Sequence, residues 1–579
     1  MWKYRRWILV GSVVLAAFFA FLALFADRII EPILKDRLHT LIIKGSDSLY
    51  TYKLGDLNTD VLGGYAELVN LDVRVDSNRY RQLQAANALP SITVQVELDK
   101  GYIRGLGIFP LLFSKRLAIY EFATNTANVR FTRHVARTGS APTSDPLWKT
   151  LRPSLKRISI DVVNLDGVKL LYRYADTSES MKVQFDTCYA QLKDIRIDSV
   201  GTADTSRIFF AREATMRFRD LKYRNRDSVY KLKAENILYS SRKRTLEVHD
   251  FKIQPTRKDP KAFYHWVGRQ KVMNTIEFDR AVFSGIRLDR FIHNETIYAD
   301  SALLQGLTAN LFLDKTYPLE LKSKIGQYPH QLLLKAKSVV AIPRIVVHNA
   351  ALAYTERGAI SHRQGKLAIN NISGVITNVT NDAALIKKNN RLEAMLKANI
   401  LGNSPIAINL TFFLDSSNGR FAANGRVHNV SADQLNGLAG PLASTRLQSF
   451  NMQQLAFSLT GDDFTARGQV QMTYNNLSVV MQKVDEETGQ TKKKKFLTRL
   501  LNKHVIHASN PSPGGGERTA SNVAYHRITS QSFFGLIWKT IFTGMQDVMM
   551  RREELQVVSR PPIMIRRSPG VAANVSRME

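Results

Sequence analysis

One uninterrupted apolar run stands near the start of the chain, and long alternating stretches follow it. Residues 7–26 read WILVGSVVLAAFFAFLALFA, which contains no charge and a single polar side chain, Ser12. Twenty helical residues span roughly 30 Å, the hydrocarbon thickness of a bilayer. Because Lys3, Arg5 and Arg6 precede the run, we predict a transmembrane helix whose N-terminus stays in the cytoplasm.

A cleaved signal peptide is the first alternative for this run. Signal peptides have apolar regions of about 7–15 residues and end in a small-x-small site. The run is longer than that, and Leu24, Phe25 and Ala26 match such a site poorly. The pattern therefore favours an uncleaved signal anchor, preceded by a cytoplasmic tail at 1–6. A helical spacing of apolar residues then predicts a juxtamembrane helix at 27–45.

From about residue 49 onwards the apolar positions recur at every second residue. In SITVQVELD at 91–99, Ile92, Val94, Val96 and Leu98 point one way and polar residues point the other. This alternation is typical of a strand with one apolar and one wet face. The phase changes at Asp250, which indicates a bulge or a sheet edge. We predict a mainly β domain over 46–482, with further alternating segments at 168–174, 246–253, 392–400, 406–412 and 470–474.

A loose phrase, polar-Asn-apolar-x-apolar, returns along these strands. Its weak self-similarity predicts one kind of structural unit added many times. It occurs as VNLDVRV at 69–75, VNLDGVKL at 163–170, HNAALAY at 348–354, NNISGVI at 370–376 and NNLSVVM at 475–481.

Helical and linker-like stretches are few. Candidate short helices at 145–157, 259–273 and 431–443 each open with Asp or Ser at a plausible N-cap. Linker-like composition marks 136–146 and 508–522. The boundaries that follow are a basic, flexible segment at 483–529, an amphipathic C-terminal helix at 530–558 and a flexible tail at 559–579.

The C-terminal helix has two interpretations. Phe534, Ile537, Trp538 and Ile541 are predicted to share one apolar face. This face is too short to span a bilayer but suits a membrane interface or a partner protein. The alternative is a helix that covers the open end of a sheet. On the first interpretation these four residues, together with Trp7, contact membrane.

The formal net charge of +31 favours anionic partners. Nucleic acid is the least probable partner behind an export anchor, and we predict none. The charge is spread over many strands as single Lys and Arg residues, and the main concentrated run is Lys492–Lys495. It indicates a solvated basic surface or, as the alternative, attraction to lipid head groups.

Candidate chemistry is sparse. No P-loop, GxSxG, HExxH, CxxC or EF-hand motif occurs, so we predict no enzyme, no metal and no cofactor. The single cysteine, Cys188, is predicted to be a small buried residue. His330, His348 and His362 are assigned structural or surface roles. The adjacent carboxylates of 462–463 are assigned to a turn.

Many one-faced strands with few helices create a physical problem, because each apolar face must be kept from water. Either the strands form sandwiches or barrels, or the sheet curls into a trough whose lining holds something else. Acyl chains suit such a lining, since apolar burial is non-directional and gains about 25 cal/mol per Å².

Both ends of the chain resemble the AsmA-like family of bacterial envelope proteins. The similarity rests on the basic N-terminus with one anchor, on LGDLNTDVLGGYAELVNLDVRV at 54–75, and on the C-terminal stretches 421–440 and 452–481. The latter contain Gly461-Asp462 followed by an alternating strand from Gly468 to Leu477. The resemblance covers roughly the first 130 and the last 180 residues.

The resemblance implies a long twisted, curved β-sheet that forms an apolar groove of the bridge-like lipid-transfer type. It implies a single-pass inner-membrane protein of a Gram-negative bacterium, with the bulk of the chain in the periplasm. The partners implied are phospholipids, the inner membrane and a periplasmic or outer-membrane protein at the C-terminal end. The lining is assigned to the alternating positions Ile92, Val94, Val96, Leu98, Leu392, Leu396, Ile406, Ile408, Leu410, Phe412, Val470, Met472 and Tyr474.

The expected function is to hold or conduct phospholipid acyl chains in support of inner-to-outer membrane transport and outer-membrane integrity. A stack of roughly 20–30 strands at about 4.8 Å gives a length on the order of 100–140 Å. The alternative is a non-catalytic scaffold or biogenesis factor for outer-membrane protein assembly. A membrane-anchored enzyme acting on envelope glycans is a third possibility that lacks any motif.

Overall fold

The structure is a computed structural model. The predicted anchor at 7–26, including Trp7, lies outside the described residues, as do the tails 1–6 and 559–579. Among the described residues, no helix combines the length and the apolar composition that crossing a bilayer requires. The described residues are 31–32, 35–36, 38–40, 42–43, 46–60, 63–86, 88–90, 92–134, 156–174, 182–204, 206–208, 210–224, 229–294, 296–319, 322–359, 361–439, 445–484 and 491–551.

Strands dominate the described part of the chain, which confirms the predicted mainly β class. They are β1 Tyr50–Lys53, β2 Asp56–Asp60, β3 Tyr65–Val75, β4 Ile92–Arg104, β5 Arg116–Arg133, β6 Arg157–Tyr174, β7 Lys182–Ile197, β8 Ala211–Arg224, β9 Tyr230–Ser240, β10 Thr245–Pro255, β11 Met273–Ser284, β12 Thr296–Tyr298, β13 Ser301–Gln305, β14 Thr308–Asp314, β15 Val339–Arg357, β16 Gln364–Thr380, β17 Arg391–Ile400, β18 Ser404–Phe413, β19 Phe421–Ser431, β20 Thr445–Gly461, β21 Thr465–Val484, β22 Thr491–Lys493 and β23 Thr519–His526.

The described helices are short, with one exception at the C-terminal end. Beyond residue 50 they are α1 Ser77–Ala85, α2 Ile108–Ser114, α3 Ser199–Ala203, α4 Pro260–Val267, α5 Leu288–Asn294, α6 Pro329–Leu334, α7 Ala383–Lys388, α8 Ala432–Ala439, α9 Lys495–Leu500 with a π-helical turn at Leu501–Val505, and α10 Phe533–Met549. Before residue 50, the described residues 31–32, 35–36, 38–40 and 42 are helical, as predicted for the juxtamembrane segment.

Neighbours in the sheet are mostly neighbours in sequence. β3 to β5, β6 to β11 and β15 to β21 pair consecutively and antiparallel. Two junctions are parallel: β5 with β6, and β12–β14 with β15. A parallel neighbour requires a connection that returns along the strand. The connections 134–156 and 315–338 therefore divide the sheet into three antiparallel blocks.

The sheet is shorter than the sequence estimate of 100–140 Å. β1 and β2 share one position beside β3, β12–β14 share one beside β15, and β22 and β23 share one beside β21. The 23 strands therefore occupy about 19 positions. At about 4.8 Å per step the sheet extends roughly 85 Å.

Most local predictions agree with the structure. The predicted strand at 91–99 is described from Ile92 and extends to Arg104 as β4. The predicted helix at 259–273 is shorter, as α4, and the described part of the predicted helix at 431–443 contains α8. The Asp259 side chain accepts the predicted N-cap hydrogen bond from the Ala262 N–H at 2.8 Å. Of the predicted helix at 145–157, only 156–157 are described, and residue 157 begins β6.

The predicted flexible segment 483–529 is described at 483–484 and 491–529, and these residues include regular structure. It contains β22, α9 and β23. Asn510 is buried, its amide donates to the Met472 and Arg518 carbonyls, and it accepts the Arg518 N–H. The Asn510 side chain thus supplies hydrogen bonds to backbone groups that have no strand partner, and it orders this Gly- and Pro-rich stretch. Composition alone does not reveal such hydrogen bonds.

Candidate functional site

The N-terminal part of the sheet presents one apolar face across six strands. Its buried centre is formed by Leu98, Ala127, Val168 and Cys188 on β4 to β7. We call the surrounding half-buried residues, together with this centre, the β3–β8 apolar face; they are Leu71, Val96, Phe122, Val129, Leu165, Leu170, Phe185 and Phe218.

Helices cover this face only at its margins in the described part of the chain. The described helices with extensive contacts to these strands are α2 against β5 and α3 against β7. Residues 108–114 immediately precede β5, and residues 199–203 immediately follow β7. Both helices therefore lie at strand ends, and the half-buried side chains between those ends keep part of their surface exposed.

A recurring backbone device, a single left-handed Asn or Asp inside a strand, keeps apolar residues on one face of these long strands. In an ordinary strand, residues three apart point to opposite faces. Here Leu68 and Leu71 belong to one core cluster, and so do Leu192 and Ile195. Between them lie Asn70 (φ 51°) and Asp194 (φ 51°), both in the left-handed conformation. The left-handed residue reverses the phase of alternation, so both apolar neighbours reach the same core.

The same device recurs throughout the sheet. The pairs Ile376 and Val379, Val427 and Val430, and Tyr474 and Leu477 also share one cluster across a left-handed Asn. Asn and Asp are among the few residues other than Gly that adopt this conformation routinely. The left-handed Asn and Asp residues inside strands are Asn70, Asp194, Asp220, Asp250, Asn349, Asn371, Asn378, Asn429 and Asn476.

This device explains the weak repeat read from the sequence. In four of the five phrases the Asn in second place is left-handed: Asn70, Asn349, Asn371 and Asn476. In the fifth, at 163–170, Gly167 (φ 65°) takes that role, and Leu165 and Val168 share a cluster across it. The phase change at Asp250 comes from a left-handed residue (φ 50°). The bulge or sheet edge that the pattern indicated is not there, because β10 pairs with β9 and with β11 without a register shift.

The predicted lining residues of the N-terminal part lie on or beside the β3–β8 apolar face. Leu98 is 5% exposed, and Val96 is half-buried against its cluster. Val94 is also half-buried. Ile92 begins β4, and its side chain lies outside the described part of the structure. The aromatic members Phe122, Phe185 and Phe218 were not identified from the sequence, because the alternation is interrupted in their strands. The interruption is a left-handed Asp in β7 and in β8, and a register shift against β4 in β5.

The predicted lining residues of the C-terminal part are covered by the chain itself. Leu392, Leu410, Phe412, Val470, Met472 and Tyr474 are all buried in one large cluster, and Leu396, Ile406 and Ile408 pack around it. Helix α10 lies on this cluster through contacts with β21 and β23. A Cβ atom at Gly544 would stand 2.5 Å from Val470 Cγ2, so the helix approaches the sheet closely. This corrects the expectation of a lining open to a ligand there.

Helix α10 presents two different faces, and this corrects the single face read from the sequence. Ile537 and Ile541 are buried against the sheet, with exposures of 6% and 7%. Phe534 and Trp538 lie on the outer face, with exposures of 62% and 46%. The covering interpretation therefore holds for Ile537 and Ile541, whereas Phe534 and Trp538 remain available for a membrane or a partner.

A buried ion pair fastens the connection 315–338 to the C-terminal end of the sheet. Arg527 Nη1 lies 3.4 Å from Asp463 Oδ1, and both side chains are at most 5% exposed. Gln331 Nε2 donates to Asp463 Oδ2 at 2.8 Å, and Arg527 Nη2 donates to the Lys324 carbonyl at 2.9 Å. Asp462 accepts the N–H groups of residues 464 and 465, which confirms the predicted turn. No sequence signal links Asp463 to Arg527.

Two buried rings complete this junction. The Arg527 guanidinium lies 4.6 Å from the centre of the Tyr328 ring, whose burial raises the pKa of the phenol to about 12. His330 is 0% exposed and packs on Phe412 with ring centres 4.8 Å apart. Neither ring nitrogen of His330 has a hydrogen-bond partner, and burial lowers its pKa to about 4. His330 is thus a core residue, as predicted.

The reverse face of the N-terminal sheet is polar and ion-paired. Arg104 Nη1 lies 2.8 Å from Glu121 Oε2, and a hydrogen bond from Asn164, followed by the pair with Arg104, lowers the pKa of Glu121. Asp186 is paired with Lys222, which lowers the pKa of Asp186. This face is the wet side that the alternation predicts.

No reactive centre emerges among the described residues. Cys188 is 5% exposed, and burial raises the pKa of its thiol to about 12, so it is a poor nucleophile. The described His, Cys, Asp and Glu residues form no group of three that could hold a metal ion. The apolar face and the covered C-terminal core are therefore the features that distinguish this molecule.

Comparison with known proteins identifies no relative. No protein-family model, curated protein or solved structure matches the chain.

Proposed function

We propose that this chain is a membrane-anchored envelope protein that holds phospholipid acyl chains along the β3–β8 apolar face. In this proposal the face forms the floor of a curved groove that begins near the anchor at 7–26. The function is the support of lipid transport between inner and outer membranes, as the resemblance to AsmA-like proteins implies. The observation that carries the proposal is a six-strand apolar face whose described helical cover lies only at strand ends.

Apolar contact without directional hydrogen bonds would hold an acyl chain at this face. Around the buried centre, the side chains of this face are aliphatic or aromatic and half-buried, so an acyl chain would remove their remaining surface from water. Such binding is insensitive to position along the strand, which permits movement. The left-handed residues support curvature, because local breaks in strand geometry bend and twist a sheet.

The covered C-terminal core limits how far such a groove extends. Helix α10 occupies the apolar face over β21 and β23, where a ligand would otherwise lie. The whole sheet, roughly 85 Å long, is also shorter than the earlier estimate. We therefore infer that transfer to a second membrane needs a partner, an oligomer or a further contact at the C-terminal end.

Native mass spectrometry of the full chain, released from membranes into amphipol, tests this proposal. Val129 lies on the β3–β8 apolar face, and Arg130, next to it on β5, is exposed. We expect bound phospholipid masses on the wild-type chain and on Arg130→Glu, and fewer on Val129→Glu, because a carboxylate is costly beside an acyl chain.

The comparison of variants removes the contribution of lipid held by the anchor, which all three chains share. Matching thermal unfolding curves would show that Val129→Glu still folds. Equal lipid retention by the two variants would contradict the proposal and would favour the scaffold alternative.

A further inference from the structure

A short basic helix near the C-terminal end of the sheet presents an apolar stripe to solvent. Helix α9 and the π-helical turn form one continuous helical segment from residue 495 to 505. Residues 491–505 contain six Lys or Arg residues and no Asp or Glu. We call this stretch the 491–505 segment.

One side of the segment is fixed to the edge of β21. Asn502 accepts the Val479 N–H at 2.9 Å and donates to the Val479 carbonyl at 2.7 Å. Thr498 Oγ1 accepts the Met481 N–H at 3.1 Å. Leu501 also packs against the large C-terminal cluster. The polar side chains of this side are therefore hydrogen-bonded within the protein, and its apolar side chain is packed within the protein.

The opposite side leaves large apolar side chains in water. Phe496 is 79% exposed, and Leu497 and Leu500 are 40% and 45% exposed. Residues three and four apart lie on the same side of a helix, so these three side chains form one stripe. A helix that is already packed on one side and exposes large apolar residues on the other has an interaction surface on its exposed side.

A row of cations runs beside this stripe. Lys495, Arg499 and Lys503 recur at intervals of four and are all exposed. In the part of the chain that the structure describes, none of the three takes part in an ion pair. With the adjoining run 492–494, they give the segment a dense positive charge around an apolar centre.

We propose that the 491–505 segment docks on the surface of an anionic phospholipid bilayer. Apolar side chains of an interfacial helix enter the boundary between head groups and acyl chains, while Lys and Arg remain beside lipid phosphates. The exposed stripe without a shaped pocket fits a fluid surface better than a folded acidic protein, whose binding relies on complementary shape. Charge alone would also suit nucleic acid, but Phe496 and its two leucine neighbours would gain nothing from a phosphate backbone.

This docking site is separate from the anchor and from the acyl-chain proposal. β21 lies near the end of the sheet that is farthest from β3 in pairing order, roughly 80 Å away at about 4.8 Å per strand. The segment thus supplies a membrane contact at the far end of the molecule, whether or not the β3–β8 apolar face holds lipid.

Vesicle flotation with the full chain tests this site. The full chain is held in a nanodisc of phosphatidylcholine and mixed with vesicles of phosphatidylcholine containing about one third phosphatidylglycerol. We expect the chain to float with these vesicles, to bind neutral vesicles weakly and to be released by salt. Lys493→Gln/Lys494→Gln/Lys495→Gln should weaken partitioning about fivefold per charge removed. Phe496→Ser/Leu500→Ser should weaken it by at least tenfold.

Matched variants at other helices serve as controls. Lys387→Gln/Lys388→Gln removes exposed charges from the last turn of α7, and Phe113→Ser removes a side chain of α2 that is 81% exposed. Both should float like the wild-type chain. Flotation of the 491–505 variants at wild-type levels, or equal flotation with neutral vesicles, would overturn the proposal.

Discussion

At the scale of the residue, left-handed Asn and Asp set the pattern of the sheet. They allow two apolar residues three apart to enter one core, which no regular strand permits. Asn429 (φ 54°) does so between Val427 and Val430, which are 8% and 2% exposed. Position 429 therefore accepts only residue types that adopt positive φ without strain.

Substitution of Asn429 tests that requirement. We expect Asn429→Val to lower the free energy of unfolding by about 1–2 kcal/mol, because a β-branched residue is strained in the left-handed region. Asn429→Gly should be close to wild type, since Gly adopts positive φ without a steric cost. Urea denaturation followed by tryptophan fluorescence measures both. If the two variants were equally destabilised, the Asn side chain itself, and not its backbone conformation, would be the important feature.

His330 provides a second residue-scale prediction, through pH. Its pKa is lowered to about 4 in the folded chain and returns towards 6.5 on unfolding, so the unfolded chain binds more protons between these values. Its contribution to stability is therefore complete above about pH 6.5 and declines as the pH falls towards 4, by on the order of 2–3 kcal/mol.

The comparison of His330→Phe with the wild-type chain isolates this contribution. We expect the variant to lose less stability between pH 6.5 and 4, since an apolar ring has no proton to gain. Exposed His348 supplies a control, His348→Gln, for the loss of a histidine as such. Identical slopes for His330→Phe and the wild-type chain would show that His330 does not titrate differently on folding.

At the scale of the element, the close approach of α10 decides whether the C-terminal apolar face is open or covered. Gly544 permits this approach, because a Cβ there would meet Val470 at 2.5 Å and Val523 at 2.8 Å. Five of the thirteen predicted lining positions, Leu392, Leu410, Phe412, Met472 and Tyr474, lie in the same covered core as Val470.

Adding one methyl group tests the packing of α10. We expect Gly544→Ala to destabilise the C-terminal part by about 1–3 kcal/mol through overpacking. Gly437→Ala in α8 should be neutral or stabilising by up to about 1 kcal/mol. Among the described residues, nothing beyond its chain neighbours and the helix backbone would lie within 4 Å of the added Cβ, and Ala is the better helix former. Thermal unfolding compares the two. A loss of stability in both variants, or in neither, would contradict the close contact between α10 and the sheet.

The type of an element could be predicted from the sequence where the local pattern was strong. Contacts between distant parts of the chain could not be predicted. The alternation in 91–99, the N-cap at Asp259 and the turn at 462–463 depend on neighbouring residues and were predicted correctly. Arg527 and Asp463 meet across 64 residues of sequence, and nothing local announces that contact. The burial of Ile537 and exposure of Trp538 likewise depend on where α10 docks.

At the scale of the whole molecule, an open apolar face and a covered one follow each other along one sheet. In the N-terminal part the β3–β8 apolar face is half-buried, whereas in the C-terminal part α10 and the 315–338 connection close the core. On our account, lipid is held in the first part, and the second part is a folded terminus that positions membrane-facing surfaces.

Site-specific photo-cross-linking to lipid tests the central claim most directly. A benzophenone amino acid is introduced into the full chain at Val129, on the β3–β8 apolar face, and separately at exposed Arg130 and at Met472, which is buried in the C-terminal cluster. After irradiation of living cells, phospholipid attached to the purified chain is measured by mass spectrometry. The account predicts phospholipid adducts at Val129 and few or none at Arg130 and Met472. Equal labelling at Val129 and Arg130, or no lipid at Val129, would contradict it.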